Sequence, residues 1–194
     1  MGLILLKTKI PVEDLKEMNL RLRTWWIMVV TFSTSLLLGH WGSLTFIALI
    51  SFLALKEYFS LIPTRPIDGP VLFLAYIAIP IQFFWIALKQ YQMFIVFIPL
   101  FAILVLSIGM VMVGEPHGFL HTVGSVTWGL LITVFSLGHL GFLMVLPASV
   151  NPNGGAVGLL MYLIFLTQFN DVMQYIVGKS IGRQQVIRRV SKGK

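Results

Sequence analysis

The chain has 194 residues, of which 57% are hydrophobic and only 11% are charged, and its mean hydropathy is +0.90. A soluble domain carries about 25% charged residues, so this composition indicates an integral membrane protein. The absence of cysteine excludes disulfides, thiolate metal sites and a cysteine nucleophile. Despite the net charge of +7, we do not expect the protein to bind nucleic acid, because little basic surface lies outside the apolar segments.

The chain divides into three predicted regions. Residues 1–23 are predicted to form a cytosolic amphipathic segment, with acids early and bases late as a helix dipole prefers. This segment is predicted to lie on the membrane surface, and docking to a partner is the alternative. Residues 24–169 are predicted to form a transmembrane helix bundle, and residues 170–194 a cytosolic basic polar tail.

Six apolar runs predict an all-α polytopic membrane bundle of about six transmembrane helices. The runs cover residues 25–39, 44–55, 71–88, 93–113, 127–146 and 156–169. Residues 40–43 are predicted to form a turn between the first two helices, with a re-entrant hairpin as the alternative. Residues 63–70 have turn chemistry throughout, and Pro80 is predicted to kink the third helix. Residues 119–126 fit either a loop or a helix.

The basic residues predict the orientation of the bundle. With six helices and a cytosolic N-terminus, 13 of the 14 Lys and Arg residues fall on the cytosolic side, and Lys89 is the exception. Such an asymmetry is what positive-inside insertion produces. We therefore expect both termini to be cytosolic and the protein to lie in a bacterial inner membrane.

Ionisable side chains within or beside lipid are candidates for function, because burying them there is costly. His139 lies in the fifth run, and its alternative is a neutral histidine hydrogen-bonded to a neighbouring helix. His117 and His121 are four residues apart near Glu115, a spacing that suits a metal ion, whereas a solvated loop is the ordinary alternative. Glu57 is predicted to be either an interfacial charge or a substrate contact.

The last stretch concentrates polar groups, glycines and positive charge. Its candidate residues are Asn170, Asp171, Tyr175, Gly178, Lys179, Gly182 and Arg183. On a helix, the acid, the phenol and the two cations recur every four residues and share one face, with the glycines between them. Such a face suits a hard cation and a phosphate. The alternative is an ordinary junction, where Asn or Asp caps a helix and the bases meet lipid headgroups.

This stretch resembles the motif of the phosphatidate cytidylyltransferase family, membrane enzymes that make CDP-diacylglycerol. The family pattern Asn-Asp-x-x-x-Tyr-x-x-Gly-Arg/Lys-x-x-Gly-Lys/Arg matches residues 170–183 in register. Ser191 stands for the serine of the Ser-Pro-x-Lys-Thr element that follows in the family, and Glu57-Tyr58 is similar to an early Glu-aromatic pair. The acidic C-terminal signature of the family is absent, so we expect this chain to represent an N-terminal and central portion.

The resemblance implies CTP and phosphatidate as substrates beside membrane lipid, and Mg²⁺ as cofactor. It implies Asp171 and Asn170 as catalytic residues, with Asp171 also a metal ligand. The residues that it implies for phosphate binding are Lys179, Arg183, Tyr175, Gly178, Gly182 and Ser191. Whether this chain alone is an enzyme stays open, and a homodimer is an open alternative. The competing functions are a non-catalytic membrane scaffold and a CTP-dependent polyprenol or phytol kinase.

Overall fold

The computed structural model describes residues 12–114 and 117–181 of the chain. This part of the chain is helical and contains no strand, which confirms the predicted all-α membrane bundle. Its long helices are α1 (Val12–Leu37), α2 (Gly39–Leu61), α3 (Gly69–Ala87), α4 (Tyr91–Val113), α5 (Phe119–Leu143) and α6 (Gly155–Ile181). Short 3₁₀ turns at Pro66–Asp68 and Ala148–Val150 precede α3 and α6.

Five of these helices, α2 to α6, are long and apolar enough to cross a membrane. The first predicted span corresponds to the apolar half of α1, Trp26–Leu37, which is shorter than the roughly 20 residues that a crossing needs. The apolar helices therefore indicate an integral membrane protein. The count of six crossings and the cytosolic placement of both termini stay predictions.

Glycines in the left-handed region set two of the helix boundaries. The reversal between α1 and α2 occurs at Leu38 and Gly39, whose φ is +77°, so the prediction of a turn at 40–43 is wrong. Those residues belong to the first turn of α2, because the chain has already reversed at the glycine. Gly118, with φ of +76°, directly precedes α5, so residues 119–126 are helical.

Helices α2 to α5 pack around one apolar core, with α3 in contact with the other three. Phe94 on α4 is fully buried, and its ring stacks on Phe135 and Phe142 of α5 at centroid distances of 5.7 and 5.2 Å. Such offset ring pairs add stabilisation beyond the area that they bury. The four helices therefore form the packed core of the molecule, from which the connecting loops project.

Two π-helical turns interrupt the core helices. One covers Phe97–Ala102 in α4 and the other covers Leu131–Phe135 in α5, and the two lie against each other. Pro99 lies in the first and cannot donate to the carbonyl four residues earlier, which accounts for the local widening. Near it, the buried Gln82 of α3 donates from Nε2 to the Phe94 carbonyl at 3.0 Å. A buried side-chain amide thus links two helices where the backbone pattern changes.

Helix α6 is attached to the bundle mainly near its N-terminal end. It contacts the C-terminal part of α5, with Leu160 fully buried. Asn151 in the preceding loop donates from Nδ2 to the Gly155 carbonyl at 3.1 Å. In the most apolar 18-residue stretch of α6, only 6% of the residues are buried, whereas 39% are buried in the corresponding stretch of the span that contains α3. Most of the α6 surface therefore faces away from the other helices.

Two glycines of α5 are expected to respond in opposite directions to replacement by alanine. A Cβ at Gly129 would lie 2.6 Å from Cε1 of Tyr58, whose hydroxyl donates to the Ser125 carbonyl at 3.0 Å. Because that hydrogen bond holds the ring in place, Gly129→Ala should lower the free energy of unfolding by at least about 1 kcal/mol. The measurement is thermal unfolding of the purified protein in detergent.

Gly124→Ala is the matched control on the same helix. A Cβ there meets nothing within 4 Å, and alanine favours a helix over glycine by up to about 1 kcal/mol. We therefore expect an unchanged or raised unfolding temperature. Equal destabilisation by both substitutions would contradict the close packing of Tyr58 against α5.

Candidate functional site

The predicted site residues lie on the C-terminal part of α6, which continues without interruption to Ile181. Asp171, Tyr175 and Lys179 therefore recur every four residues on one helical face, with Gly178 beside them. Asn170 and Asp171 are both exposed. Gly182, Arg183 and Ser191 lie outside the described residues. The helical placement agrees with the sequence pattern, while the roles of these residues stay predictions.

The connectivity shows which loops share a membrane side with this motif. Given that each of α2 to α6 crosses the membrane, as their length and composition indicate, successive helices run in opposite directions, and the C-terminal end of α6 shares a side with the α2–α3 and α4–α5 connections. We call this the motif side. The α3–α4 and α5–α6 connections lie on the opposite side. Polar groups in residues 62–68 and 117–118 therefore lie on the motif side.

The α2–α3 and α5 segments meet on the motif side through three polar residues, Arg65, Asp68 and Thr122, which we call the loop cluster. Asp68 is 3% exposed. Its Oδ1 accepts from Nη2 of Arg65 at 2.8 Å and from the Thr122 hydroxyl at 3.1 Å. Its Oδ2 accepts from the backbone N–H and Nε of Arg65 at 3.0 and 3.2 Å. The carboxylate is thus compensated on both oxygens, as a buried charge requires.

Arg65 also fixes the start of α5. Its Nη1 donates to the His117 carbonyl at 2.6 Å, and Nη2 lies 3.3 Å from the Thr122 hydroxyl. A Cβ at Gly118 would lie 2.8 Å from Nη1, so the glycine is required both for its positive φ and for this approach. One guanidinium therefore holds the two motif-side connections together.

From the sequence, residues 63–70 are predicted only to form a turn, and the loop cluster is not among the predicted site residues. The available signal was a pair of opposite charges, Arg65 and Asp68, three residues apart among prolines. That spacing predicts a local ion pair. It gives no indication of Thr122, which is 54 residues further along the chain.

The other ionisable candidates have separate surroundings. Glu57 is exposed at the end of α2, and His117 and His121 are exposed near the start of α5. Glu115 is outside the described residues. Within residues 12–114 and 117–181, no three His, Asp or Glu side chains converge as metal ligands. His139 Nδ1 lies 2.9 Å from the Phe135 carbonyl, so its acceptor is in its own helix and not in a neighbouring one.

Comparison with known proteins places this helical bundle in a family. A sequence profile of the cytidylyltransferase family matches residues 19–194. The chain belongs to the cytidylyltransferase family. It is 45% identical over 186 residues to the uncharacterized protein YnbB of Escherichia coli (strain K12), a match that covers 96% of this chain and 60% of that protein. The chain therefore spans about three fifths of the length of that relative. No solved structure matches the chain.

The family assignment confirms the sequence-based resemblance at the level of cytidylyltransferases. The matched region contains the motif of residues 170–183 as well as the loop cluster. Cytidylyl transfer is chemistry of a CTP-type nucleotide, and the apolar helices of this member indicate a membrane setting. The family name does not identify the second substrate.

Proposed function

We propose that this chain carries part of the machinery of a phosphatidate cytidylyltransferase. The observation that carries the proposal is the uninterrupted helix α6, which leads from the apolar region into the motif with Asp171, Tyr175 and Lys179 on one face. A membrane-embedded member of a cytidylyltransferase family needs an acceptor that it can reach from lipid. A lipid with a terminal phosphate satisfies that need.

The position of the motif suits a reaction between a lipid and a soluble nucleotide. The candidate membrane span of α6, Gly155–Gln174, ends three residues beyond Asp171, so the exposed Asn170 and Asp171 lie near the edge of the apolar region. Lys179 follows at a distance of about 12 Å along the helix axis from Asp171. A phosphate at headgroup depth and a triphosphate approaching from water can therefore meet along this face.

In the proposed reaction, a phosphate oxygen of phosphatidate attacks the α-phosphorus of CTP. The new P–O bond gives CDP-diacylglycerol, and the bond between the α- and β-phosphates breaks to release pyrophosphate. Both reactants are anionic, so the protein has mainly to position them and to neutralise charge. We assign charge neutralisation to Lys179 and Arg183, orientation to Asn170 and Tyr175, and close approach of the phosphates to Gly178 and Gly182. Ser191 is assigned a further phosphate contact.

Mg²⁺ is the proposed cofactor, since a divalent cation commonly neutralises a nucleoside triphosphate. Asp171 is proposed as one oxygen ligand. The described residues offer no cluster of three acidic or histidine side chains, so they do not by themselves form a complete site. The assignments of the protein residues above therefore do not depend on a metal-bound step.

We further propose that the motif side is cytosolic and that the membrane is a bacterial inner membrane. The distribution of Lys and Arg supports this orientation for a bundle of six crossings, in which only Lys89 falls on the opposite side. CTP is a cytosolic nucleotide, so this orientation gives the motif access to its substrate. A homodimer stays an open alternative.

The experiment that tests the function follows two differently labelled preparations of CTP. The purified chain and, in parallel, the E. coli relative are incubated in detergent with Mg²⁺ and either phosphatidate or a polyprenol. We expect label from the α-phosphate to enter the lipid fraction with phosphatidate. Transfer of γ-label to the polyprenol would instead show a lipid-alcohol kinase. Absence of both from this chain, with transfer by the relative, would favour a non-catalytic scaffold.

A further inference from the structure

A cavity of about 820 Å³ lies on the side of the membrane opposite the motif. It is formed where α3 ends, α4 begins and α5 passes into the loop before α6. Its lining includes Lys89, Tyr91, His139, Phe142, Leu143 and Pro147. A hydrocarbon core of about 30 Å separates this side from the motif side. The cavity is therefore distinct from the proposed catalytic face.

Lys89 is held at this cavity by an unusual backbone conformation. Its φ is +58°, and among the described residues it is the only non-glycine with a positive φ. Its N–H donates to the Ile86 carbonyl at 2.9 Å, and the next N–H donates to the Trp85 carbonyl at 3.0 Å, which closes the end of α3. Glycine usually occupies such a left-handed helix end. A lysine stands here instead, and it is the one Lys or Arg within the described α3–α4 and α5–α6 connections, residues 88–90 and 144–154.

His139 presents a second polar atom in a fixed orientation. A carbonyl can only accept, so the 2.9 Å contact with Phe135 assigns the proton to Nδ1 and leaves Nε2 as the atom for a ligand. The imidazole packs edge-on against Phe94 and Phe135, with centroids 4.8 and 4.7 Å away. These contacts restrict the ring, so the Nε2 position is set before any ligand arrives.

The remaining walls are mainly apolar. Tyr91 packs edge-on against Phe142 at a centroid distance of 5.1 Å, and Phe142 stacks on the buried Phe94. Leu143 and Pro147 extend the apolar lining. The cavity thus combines one cation, one imidazole nitrogen and a wide apolar surface at the edge of the membrane. That combination matches an anionic amphiphile better than it matches a water-soluble anion.

We infer that this cavity binds the headgroup of an anionic phospholipid. Lys89 pairs with the phosphate, and Nε2 of His139 accepts a hydrogen bond from a headgroup hydroxyl. The first part of an acyl chain lies along Phe142 and Leu143. The volume falls within the roughly 300–1,000 Å³ that is usual for small-molecule sites, so a headgroup with part of its chain fits.

The test is native mass spectrometry of the purified chain with phosphatidylglycerol or phosphatidylcholine of identical acyl chains. Lys89→Gly is the decisive variant, because glycine suits the positive φ and removes the cation without disturbing the end of α3. We expect the unmodified chain to retain phosphatidylglycerol preferentially, and Lys89→Gly to weaken that retention about fivefold to tenfold. Lys56→Met, which changes an exposed cation on the motif side, should leave it unchanged.

Three results would overturn the inference. Equal retention of the two lipids would show that the phosphate charge is not recognised. Equal retention by the unmodified chain and Lys89→Gly would place the lipid elsewhere. Displacement of the lipid by inorganic phosphate would identify a site for the free anion. His139→Phe keeps the ring packing and removes Nε2, so an unchanged lipid preference in that variant would remove the histidine from the site.

Discussion

Asp171→Ala should lower the rate of CDP-diacylglycerol formation by at least about 100-fold. This expectation depends on the proposed function, in which two anionic substrates meet beside α6 and the exposed carboxylate of Asp171 helps to hold a compensating cation. Alanine keeps the helix, because its helix propensity exceeds that of aspartate. The loss should therefore appear in activity while thermal unfolding stays unchanged. The measurement is transfer of α-label from CTP to phosphatidate.

Met173→Ala is the matched control for Asp171→Ala. Met173 lies two residues further along α6, is 40% exposed and points about 200° away from Asp171 around the helix axis. Its replacement should leave the rate within a factor of about two, as expected for a surface change away from the site. Equal rates for the unmodified chain and Asp171→Ala would contradict the assigned role. A complete absence of product from both would leave the chain non-catalytic by itself.

Arg65→Ala should lower the free energy of unfolding by about 2–3 kcal/mol. The substitution leaves the buried carboxylate of Asp68 with only the Thr122 hydroxyl and one backbone N–H as partners. Removing one member of a fully buried ion pair costs about 3–5 kcal/mol, and the 38% exposure of the Arg65 side chain reduces that figure. The contact that joins this residue to the His117 carbonyl is lost as well. Chemical unfolding in detergent measures the effect.

A double substitution separates the ion pair from the other contacts of Arg65. Adding Asp68→Asn to Arg65→Ala removes the uncompensated charge, so we expect the double variant to lose at least about 1 kcal/mol less than the sum of the single variants. Lys56→Ala, an exposed cation on the same membrane side, should change stability by no more than about 0.5 kcal/mol. Strict additivity of the two substitutions would show that the loop cluster contributes no coupling.

The fold class was predictable because composition alone restricts it. Long apolar runs in lipid have to form helices, since no water is present to satisfy an open backbone. The four-residue spacing of Asp171, Tyr175 and Lys179 was compatible with a helix, and the structure shows one through residues 170–181. The position of the first reversal was less predictable. His40 to Ser43 look like a polar turn, yet the left-handed Gly39 had already reversed the chain.

Contacts between segments that are distant in the chain could not be predicted from the sequence pattern. His139 was a candidate on its own, and Lys89 was only an exception to the charge rule. Their meeting in one cavity depends on how the end of α3, the start of α4 and the end of α5 lie beside one another. The π-helical turns add a second obstacle, because each one rotates the following residues relative to an ideal helix. A helical wheel drawn through Pro99 therefore assigns faces wrongly beyond it.

The attachment of α6 near one end makes the position of the motif sensitive to bilayer thickness. Asp171 lies about 16 Å along the axis from the buried Leu160. A helix whose apolar length exceeds the local hydrocarbon thickness tilts, and tilts in structures range over about 40°. A 20° change in tilt moves Asp171 sideways by about 6 Å relative to Arg65 and Asp68. Lipids with shorter or longer acyl chains would thus shift the motif across the membrane surface without any change in the bundle.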